Sequence, residues 1–261
     1  MEIVILPDGA AVGAAAAARI AAVVRRNPRA VLGLATGSSP LGVYSALAAL
    51  VARGEVDLSQ TRGFALDEYV GVPPDSPLSY AATIAHDATG PLGMDPARVR
   101  TPDGNATDLE AACAEYERAI REAGGVDVQI LGIGTNGHIG FNEPTSSFAS
   151  RTRIKTLAPR TRVDNARFFD GDLDAVPLHC ITQGLGTILE ARKLLLLAQG
   201  ESKATAIAAA VEGPLSAMVP GSAMQLHPDA VVIVDEAAAS KLTLSEYYRF
   251  TYDHKPAWQQ G

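Results

Sequence analysis

The stretch VDVQILGIGTNGHIGFNEP, residues 126–144, joins a strand pattern to a glycine-rich loop. Residues 126–133 are dominated by valine, isoleucine and leucine, which is typical of a strand buried on both faces of a parallel sheet. Apolar runs of the same kind lie at residues 2–6, 30–35, 63–66, 193–200 and 230–236. Helical patterns separate them, at residues 10–26, 41–53, 108–122 and 202–211. This alternation predicts a doubly wound, Rossmann-like α/β fold with a mainly parallel sheet flanked by helices.

The size of the chain favours one domain. It has 261 residues, of which 47% are hydrophobic, so it can bury a substantial core. The sequence contains no internal repeat, no low-complexity segment and no long linker rich in proline, glycine and serine. We therefore predict a single domain over residues 1–261.

Composition and charge exclude several classes of protein. The net charge of −7 argues against nucleic acid and membrane surfaces as partners, because both are polyanions. The N-terminus lacks the basic flank and long apolar core of a signal peptide, and no apolar run is long enough to span a membrane. Cys113 and Cys180 lie far apart without metal-ligand spacing, so both are expected to be reduced thiols, with no metal site. These features predict a cytoplasmic protein.

In doubly wound folds, ligands bind beyond the carboxyl ends of the strands. The first such loop is ATGSSP, residues 35–40, where Pro40 is predicted to open a helix. Gly37, Ser38 and Ser39 offer small side chains and free backbone N–H groups at a positive helix end. The loop is either a phosphate cradle or a serine-capped helix start without a ligand.

The second loop begins with Asp67 and Glu68, directly after the strand at 63–66. Adjacent residues on an extended segment point in opposite directions, so at most one of the two carboxylates faces a ligand cleft. One of them is a candidate catalytic base, and a solvated acidic turn is the alternative.

The third loop is the glycine-rich one, and it admits two interpretations. Gly132, Gly134 and Gly137 match the spacing of a dinucleotide-binding fingerprint, but Pro144 interrupts any helix there. No acidic residue lies between positions 144 and 163 to hold a ribose. The glycines are better explained by a tight loop that carries His138 and Glu143 as an acid/base pair, although such a spacing also occurs through packing alone.

Basic residues near this loop form a second charged feature. RTRIKTLAPRTR, residues 151–162, has five cations among twelve residues, which repel one another unless an anion or an acidic neighbour compensates. Arg167 follows closely, and Lys203 lies in the first turn of a predicted helix, where a cation is unfavourable. A phosphate ligand would explain both residues, whereas the run itself is equally explained by a solvated face or a subunit contact.

Taken together, these segments resemble the glucosamine-6-phosphate deaminase family of sugar-phosphate isomerases, which also includes 6-phosphogluconolactonases. The resemblance runs from about residue 32 to 236 and is carried by several long motifs in family order: LGLATGSSPLGVY, LDEYVGVPPDSPLSY, GIGTNGHIGFNEPTSSFASRTRIKTL, TRVDNARFFD, ITQGLGTILEARK, GESKATAI and LHPDAVVIVDE.

The resemblance implies an enzyme that converts glucosamine 6-phosphate and water to fructose 6-phosphate and ammonia without a metal or organic cofactor, classed here as a hydrolase that also isomerises. His138, with Glu143 as its partner, matches the residue that opens the pyranose ring. Asp67 matches the base that moves a proton from carbon 2 to carbon 1. The residues that match the substrate phosphate site are Gly37, Ser38, Ser39, Arg167 and Lys203.

Two features leave alternatives open. Asn136 stands where some members carry an aspartate that completes a relay with the histidine and glutamate; its amide can position the imidazole but adds no negative charge. Ser146, Arg153 and Lys155 match a second phosphate site of members that N-acetylglucosamine 6-phosphate activates, at a subunit boundary. A homo-oligomer is therefore possible, and the sequence does not decide between regulation and simple charge pairing.

Two rival functions share this fold. A 6-phosphogluconolactonase would be a hydrolase with a related histidine loop, and the DEYVG and HIGFNEP segments favour the deaminase instead. A non-catalytic sugar-phosphate sensor should carry a helical DNA-binding module, for which this chain has no room before its first strand.

Overall fold

The computed structural model describes residues 1–256, so the last five residues of the predicted domain lie outside the described part. Within it, ten strands occur: β1 (Glu2–Leu6), β2 (Val31–Leu34), β3 (Arg62–Ala65), β4 (Asp67–Tyr69), β5 (Val99–Arg100), β6 (Val128–Leu131), β7 (Arg153–Thr156), β8 (His179–Thr182), β9 (Leu194–Ala198) and β10 (Ala230–Asp235). The α-helices of the same part are α1 (Gly9–Arg26), α2 (Ser38–Ala52), α3 (Tyr80–Ile84), α4 (Leu109–Glu122), α5 (Pro159–Asn165), α6 (Leu185–Leu189), α7 (Ala204–Val211) and α8 (Ser245–Asp253).

Seven strands form the predicted parallel sheet, in the order β1-β10-β9-β6-β2-β3-β5. Every neighbouring pair in it is parallel. All residues of β2, β6 and β9 are buried, as expected for strands that helices cover on both faces. The fold class predicted from the alternation of strands and helices is thereby confirmed.

Helices α1 and α2 pack closely because glycine lies at their crossing. A Cβ atom on Gly13 would stand 2.6 Å from the carbonyl oxygen of Gly42, so no larger residue fits there. The buried face of α1 is otherwise formed by small and branched side chains, such as Ala16, Ala17 and Ile20. No helix among residues 1–256 combines the length and apolar character needed to cross a lipid bilayer.

A second, smaller sheet was not predicted. It is antiparallel, in the order β4-β8-β7, and β4 follows β3 after a single residue. The register aligns Asp67 with Thr182 and Thr182 with Arg153. The basic run thus forms β7 and the start of α5, and α2 begins at Ser38, earlier than the predicted opening at Pro40.

Candidate active site

The predicted site loops meet because their strands are neighbours. β9, β6, β2 and β3 lie side by side in the parallel sheet. Parallel strands place their carboxyl ends at one edge, and the loops after these four carry Lys203, His138, the ATGSSP segment and Asp67, respectively. They line one cleft with a cavity volume of about 140 Å³.

The ATGSSP loop has the geometry of an anion cradle. Gly37 adopts a φ of 91°, a backbone conformation that favours glycine, and precedes the first turn of α2. No side chain caps this helix, so the N–H groups of Ser38 and Ser39 have no capping acceptor. The loop is held from below by the Tyr44 hydroxyl, which donates to the carbonyl of Ala35 at 2.8 Å and accepts from its N–H at 3.1 Å. An anion in the cleft would complete the helix end.

Arg167 and Lys203 add positive charge to the same cleft. Lys203 donates from Nζ to the carbonyl oxygen of Ile133 at 2.8 Å, which ties it to the glycine-rich loop. Burial, and then the charge of Arg167, lower the pKa of Lys203, and Asp164 opposes this shift. Arg167 comes from a 3-10 turn, Ala166–Phe168, and stacks over the Phe168 ring. Two cations that each disfavour the other's charge are suited to bind a dianion.

Asp67 faces the cleft and Glu68 faces away from it, as expected for adjacent residues on a strand. Glu68 accepts hydrogen bonds from the backbone N–H groups of Tyr69, Tyr80 and Ala81, so it organises the start of α3. Asp67 is only 6% exposed. Burial, followed by the charge of Glu68, raises the pKa of Asp67 to about 8. A carboxylate with a raised pKa is a stronger proton acceptor than an ordinary one.

The glycine-rich loop contains no helix from residue 132 to 144, and it brings the His138 side chain to the cleft. A dinucleotide fingerprint would require such a helix, so the fold excludes that interpretation of the three glycines. Gly134 is needed for space, since a Cβ atom on it would stand 2.2 Å from Cε1 of His138. Gly137 turns the chain with a φ of 85°. The loop therefore closes tightly around the His138 imidazole.

His138 and Glu143 lie close together without a direct hydrogen bond. Nδ1 of His138 is 3.7 Å from Oε2 of Glu143, and it has no hydrogen-bond partner within residues 1–256. The side-chain amide of Asn136 makes two hydrogen bonds. Its Nδ2 donates to Oε2 of Glu143 at 2.8 Å, and its Oδ1 accepts from the backbone N–H of His138 at 3.2 Å. Asn136 thus holds the main chain of His138 and not its ring.

Glu143 is buried and fully engaged. Besides Asn136, the Thr161 hydroxyl donates to its Oε1 at 2.5 Å, and the N–H of Ala158 donates to the same oxygen at 3.3 Å. Burial raises the pKa of Glu143, but the His138 imidazole, the Thr161 hydroxyl and the Asn136 amide outweigh it and lower the pKa to about 2. The carboxylate is therefore ionised at neutral pH and can stabilise a charged imidazole.

The basic run divides into compensated and uncompensated cations. Arg151 pairs with Glu117 and Glu190, each at 2.6 Å, and Arg160 pairs with Asp164 at 3.1 Å. Arg162 donates to the backbone carbonyls of Leu173 and Val176.

The other two cations of the run lie on β7, and no carboxylate of residues 1–256 stands within 4.0 Å of either Arg153 or Lys155. Arg153 donates to Asn142 Oδ1 at 2.7 Å and to Ser146 Oγ at 3.2 Å. Burial lowers the pKa of Arg153. A half-buried guanidinium without a carboxylate leaves charge available for an anion.

Several polar residues of the cleft escaped prediction: Tyr80, Thr135, Thr161, Asp164 and Asn165. Tyr80 and Thr161 lie in quoted motifs, but a tyrosine or a threonine alone gives no chemical signal. The carboxylate of Asp164 accepts a hydrogen bond from the Thr135 hydroxyl at 3.1 Å, and this contact links α5 to the glycine-rich loop. Both cysteines are free and buried, and residues 1–256 contain no group of three or more histidine, cysteine or carboxylate side chains suited to a metal.

Comparison with known proteins agrees with this geometry. The family model of glucosamine-6-phosphate isomerases and 6-phosphogluconolactonases matches residues 9–233. A protein of Cutibacterium acnes named glucosamine-6-phosphate deaminase is 63% identical over 251 residues, which cover 96% of each chain. A protein of the same name from Streptomyces coelicolor is 60% identical over 259 residues, which cover 99% of each chain.

Solved structures give the same result. A monomeric glucosamine-6-phosphate deaminase superposes with a TM-score of 0.90 at 41% identity, covering 92% of this chain and all 100% of that one. A 6-phosphogluconolactonase from Thermotoga maritima has a TM-score of 0.70 at 20% identity over 90% of this chain and 99% of that one, which shows a shared fold alone. The resemblance inferred from the motifs is confirmed: the chain belongs to the glucosamine-6-phosphate deaminase family.

Proposed function

We propose that this chain converts glucosamine 6-phosphate and water to fructose 6-phosphate and ammonia, without a metal or organic cofactor. One observation carries the proposal. A buried carboxylate with a raised pKa, Asp67, and a histidine beside an ionised glutamate line the same cleft as an uncapped helix end and two cations. The cleft thus holds both the proton-transfer groups and the anion-binding groups that an amino sugar phosphate requires.

The phosphate would anchor the substrate. Its oxygens would accept from the backbone N–H groups of Ser38 and Ser39 and from the side chains of Arg167 and Lys203. Three loops would then grip one dianion, which leaves carbons 1 and 2 of the sugar to reach the acid/base groups. Gly37 contributes the φ of 91° that turns these N–H groups toward the cleft.

His138 would open the ring. The imidazole accepts the proton of the hydroxyl on carbon 1 and returns a proton to the ring oxygen, as the bond between carbon 1 and that oxygen breaks and an aldehyde forms. Glu143 stabilises the imidazolium between these two transfers, since its carboxylate lies 3.7 Å from Nδ1. Asn136 keeps the backbone of His138 and the Glu143 carboxylate in register.

Asp67 would then move the proton of carbon 2. Its carboxylate removes that proton, and the electron pair forms a double bond between carbons 1 and 2 as the carbonyl π bond at carbon 1 breaks and its oxygen takes up a proton. Asp67 then delivers its proton to carbon 1 while the lone pair of the amino nitrogen forms a double bond to carbon 2. The resulting imine at carbon 2 adds water and releases ammonia, so the deamination step is hydrolytic. The positive charge of the substrate's amino group favours the ionised form of the Asp67 carboxylate as the complex forms.

A reaction in deuterated water tests the proposal. The purified protein is incubated with glucosamine 6-phosphate, and ammonia and fructose 6-phosphate are measured together with deuterium at carbon 1. We expect both products, with deuterium at carbon 1 only, in the fraction of turnovers in which the Asp67 proton exchanges with solvent before its delivery to carbon 1. Binding of the sugar phosphate without ammonia would indicate a sensor, and hydrolysis of 6-phosphogluconolactone without ammonia would indicate a lactonase.

Ser146, Arg153 and Lys155 support a second part of the proposal, an anion site on β7 for an activating sugar phosphate. The two cations project from alternate residues of one strand and have no carboxylate within 4.0 Å in the described part of the chain. Arg153 already contacts Ser146 and Asn142, so an anion bound there would adjoin the loop that carries Glu143. Such activation also requires a protein with two states that the effector binds unequally, which a homo-oligomer would supply.

A further inference from the structure

The carboxylate of Glu143 is held from outside its own loop. Thr161, in the first turn of α5, donates its hydroxyl to Oε1 of Glu143 at 2.5 Å, and the N–H of Ala158 donates to the same oxygen. Thr161 is 2% exposed, so water does not compete for this contact. Both donors belong to the segment that leads from β7 into α5.

The two oxygens of Glu143 therefore have separate tasks. Oε1 accepts from Thr161 and Ala158, whereas Oε2 accepts from the Asn136 amide and faces Nδ1 of His138. A glutamate side chain rotates freely about its terminal bond unless both oxygens are fixed. Without the Thr161 hydroxyl, one donor on Oε1 would remain, at 3.3 Å. Thr161 thus holds the side of the carboxylate that the Asn136 amide does not, and both are needed to keep Oε2 opposite the imidazole.

We propose that Thr161 is a positioning residue for ring opening, which acts by fixing the Glu143 carboxylate so that one oxygen remains opposite His138. This inference rests on the proposed roles of His138 and Glu143. It adds a residue on α5 to a pair carried by the glycine-rich loop, and it links the strand-end chemistry to the segment that also carries Arg167.

The chain offers a matched control outside the cleft. Thr187 donates its hydroxyl to Oε1 of the buried Glu117, also at 2.5 Å, and that residue does not line the cleft. Thr187 is 5% exposed and is thus as well shielded as Thr161. Replacing either threonine by valine removes one hydroxyl and leaves one buried carboxylate short of a donor. Only one of the two carboxylates faces an imidazole.

The experiment compares Thr161→Val, Thr161→Ser and Thr187→Val with the parent protein. Steady-state deamination gives kcat and KM, NMR exchange measures the interconversion of the glucosamine 6-phosphate anomers, and thermal unfolding measures stability. We expect kcat and the anomer rate of Thr161→Val to fall about 10- to 100-fold with KM within about twofold, because a buried charged acceptor loses a donor. Thr161→Ser should restore most of both rates. Thr161→Val and Thr187→Val should lower the melting temperature by similar amounts, but Thr187→Val should leave both rates unchanged.

The outcomes separate this inference from the proposed function. If the parent exchanges anomers without releasing ammonia, and Thr161→Val slows that exchange, the deaminase proposal fails and the role of Thr161 holds. If the parent deaminates and Thr161→Val matches it, or slows no more than Thr187→Val, the inference about Thr161 is wrong. A parent that neither exchanges anomers nor deaminates would overturn both.

Discussion

Two regions build the site, and they differ in how they hold their residues. The carboxyl edge of the parallel sheet carries Asp67 at the start of β4, His138 on the glycine-rich loop and Lys203 at the end of a short 3-10 turn, each a few residues after a buried strand. The β7–β8 segment, residues 153–182, leaves the glycine-rich loop, forms α5 and returns as β8. It carries Thr161 and Arg167. Backbone pairing in the seven-stranded sheet fixes the strands before these residues. The second region is joined to the first by the antiparallel pairing of β8 with β4, which aligns Thr182 with Asp67, and by side-chain hydrogen bonds.

Three side-chain hydrogen bonds illustrate how the two regions are joined. Thr161 reaches Glu143 at 2.5 Å, Asn165 donates to the Tyr69 hydroxyl at 2.9 Å, and Arg153 reaches Asn142 at 2.7 Å. The sheet edge thus supplies the groups that transfer protons, and the β7–β8 segment supplies groups that orient them or bind anions. Changes to the proton-transfer groups at the sheet edge should therefore lower kcat, while changes to anion-binding groups in either region should alter KM or the response to effectors.

The largest effect is expected at the sheet edge, for Asp67→Asn. The amide keeps the shape of the carboxyl group but cannot accept the proton of carbon 2, and no other base takes its place in the proposed mechanism. We expect kcat to fall on the order of a thousandfold or more, while the sugar phosphate still binds. Ammonia release measures the first effect and calorimetric titration the second. Turnover within tenfold of the parent would remove Asp67 from the mechanism.

Gly134→Ala should have the next largest effect, because it displaces the His138 imidazole without replacing any group that takes part in the reaction. The added Cβ atom would stand 2.2 Å from Cε1 of His138, so the imidazole must move. Moving the imidazole by about 1 Å from its position opposite the substrate is expected to lower kcat by about a hundredfold. Gly42→Ala is the control, since its Cβ atom would stand 3.6 Å from the carbonyl oxygen of Gly9, which is an ordinary van der Waals contact. Equal activities of the two variants would contradict the described geometry of the loop.

Arg167→Ala tests the β7–β8 segment. The variant removes a charged contact to the phosphate, which is worth about 1.5–3 kcal/mol, so KM should rise about 10- to 150-fold with a smaller change in kcat. Lys203→Ala, on the sheet edge, should raise KM as well and also lower stability, because its Nζ holds the carbonyl of Ile133. Steady-state kinetics and urea unfolding of both variants separate these effects. Unchanged KM in both would place the phosphate elsewhere.

The strands of the parallel sheet were predictable from the sequence, whereas β7 and the role of Thr161 were not, although the cations Arg153, Lys155 and Arg167 of the segment were predicted as anion-binding residues. Buried parallel strands have a sequence pattern that depends only on burial, so runs such as 193–200 and 230–236 identify β9 and β10 closely. β7 is exposed at alternate residues and rich in cations, so residues 151–162 look like a charged surface and not like a strand. Thr161 acts through a contact with Glu143, eighteen positions earlier, and no local pattern records such a pairing.

Titration of Asp67 offers a pH test of the comparison. Because its pKa is raised to about 8 and the base must be ionised, kcat/KM should rise with pH and level off near that value. At pH values well below this pKa, kcat/KM should increase about tenfold for each pH unit. Stability should follow the opposite sign: the folded state holds the proton more tightly, so the contribution of Asp67 declines as pH rises from about 4 to about 8. The Asp67→Asn variant lacks this decline. The difference in the free energy of unfolding between variant and parent, measured with urea, should therefore shift in favour of the variant from pH 5 to pH 9.

The smallest effect is expected at β7, where Arg153→Ala and Lys155→Ala separate anion binding from loop support. If N-acetylglucosamine 6-phosphate binds between these cations, the substrate-saturation curve of the parent should shift leftward by a few-fold when it is added, equivalent to about 1 kcal/mol of coupling. Both variants should lose that shift, since each removes one charge. Only Arg153→Ala should also lower the basal kcat, because Arg153 alone of the two donates to Asn142 and Ser146. Light scattering with and without the acetylated sugar phosphate would show whether an oligomer accompanies the response. A parent whose curve does not move would leave Arg153 as a support of the Glu143 loop and Lys155 as a surface charge.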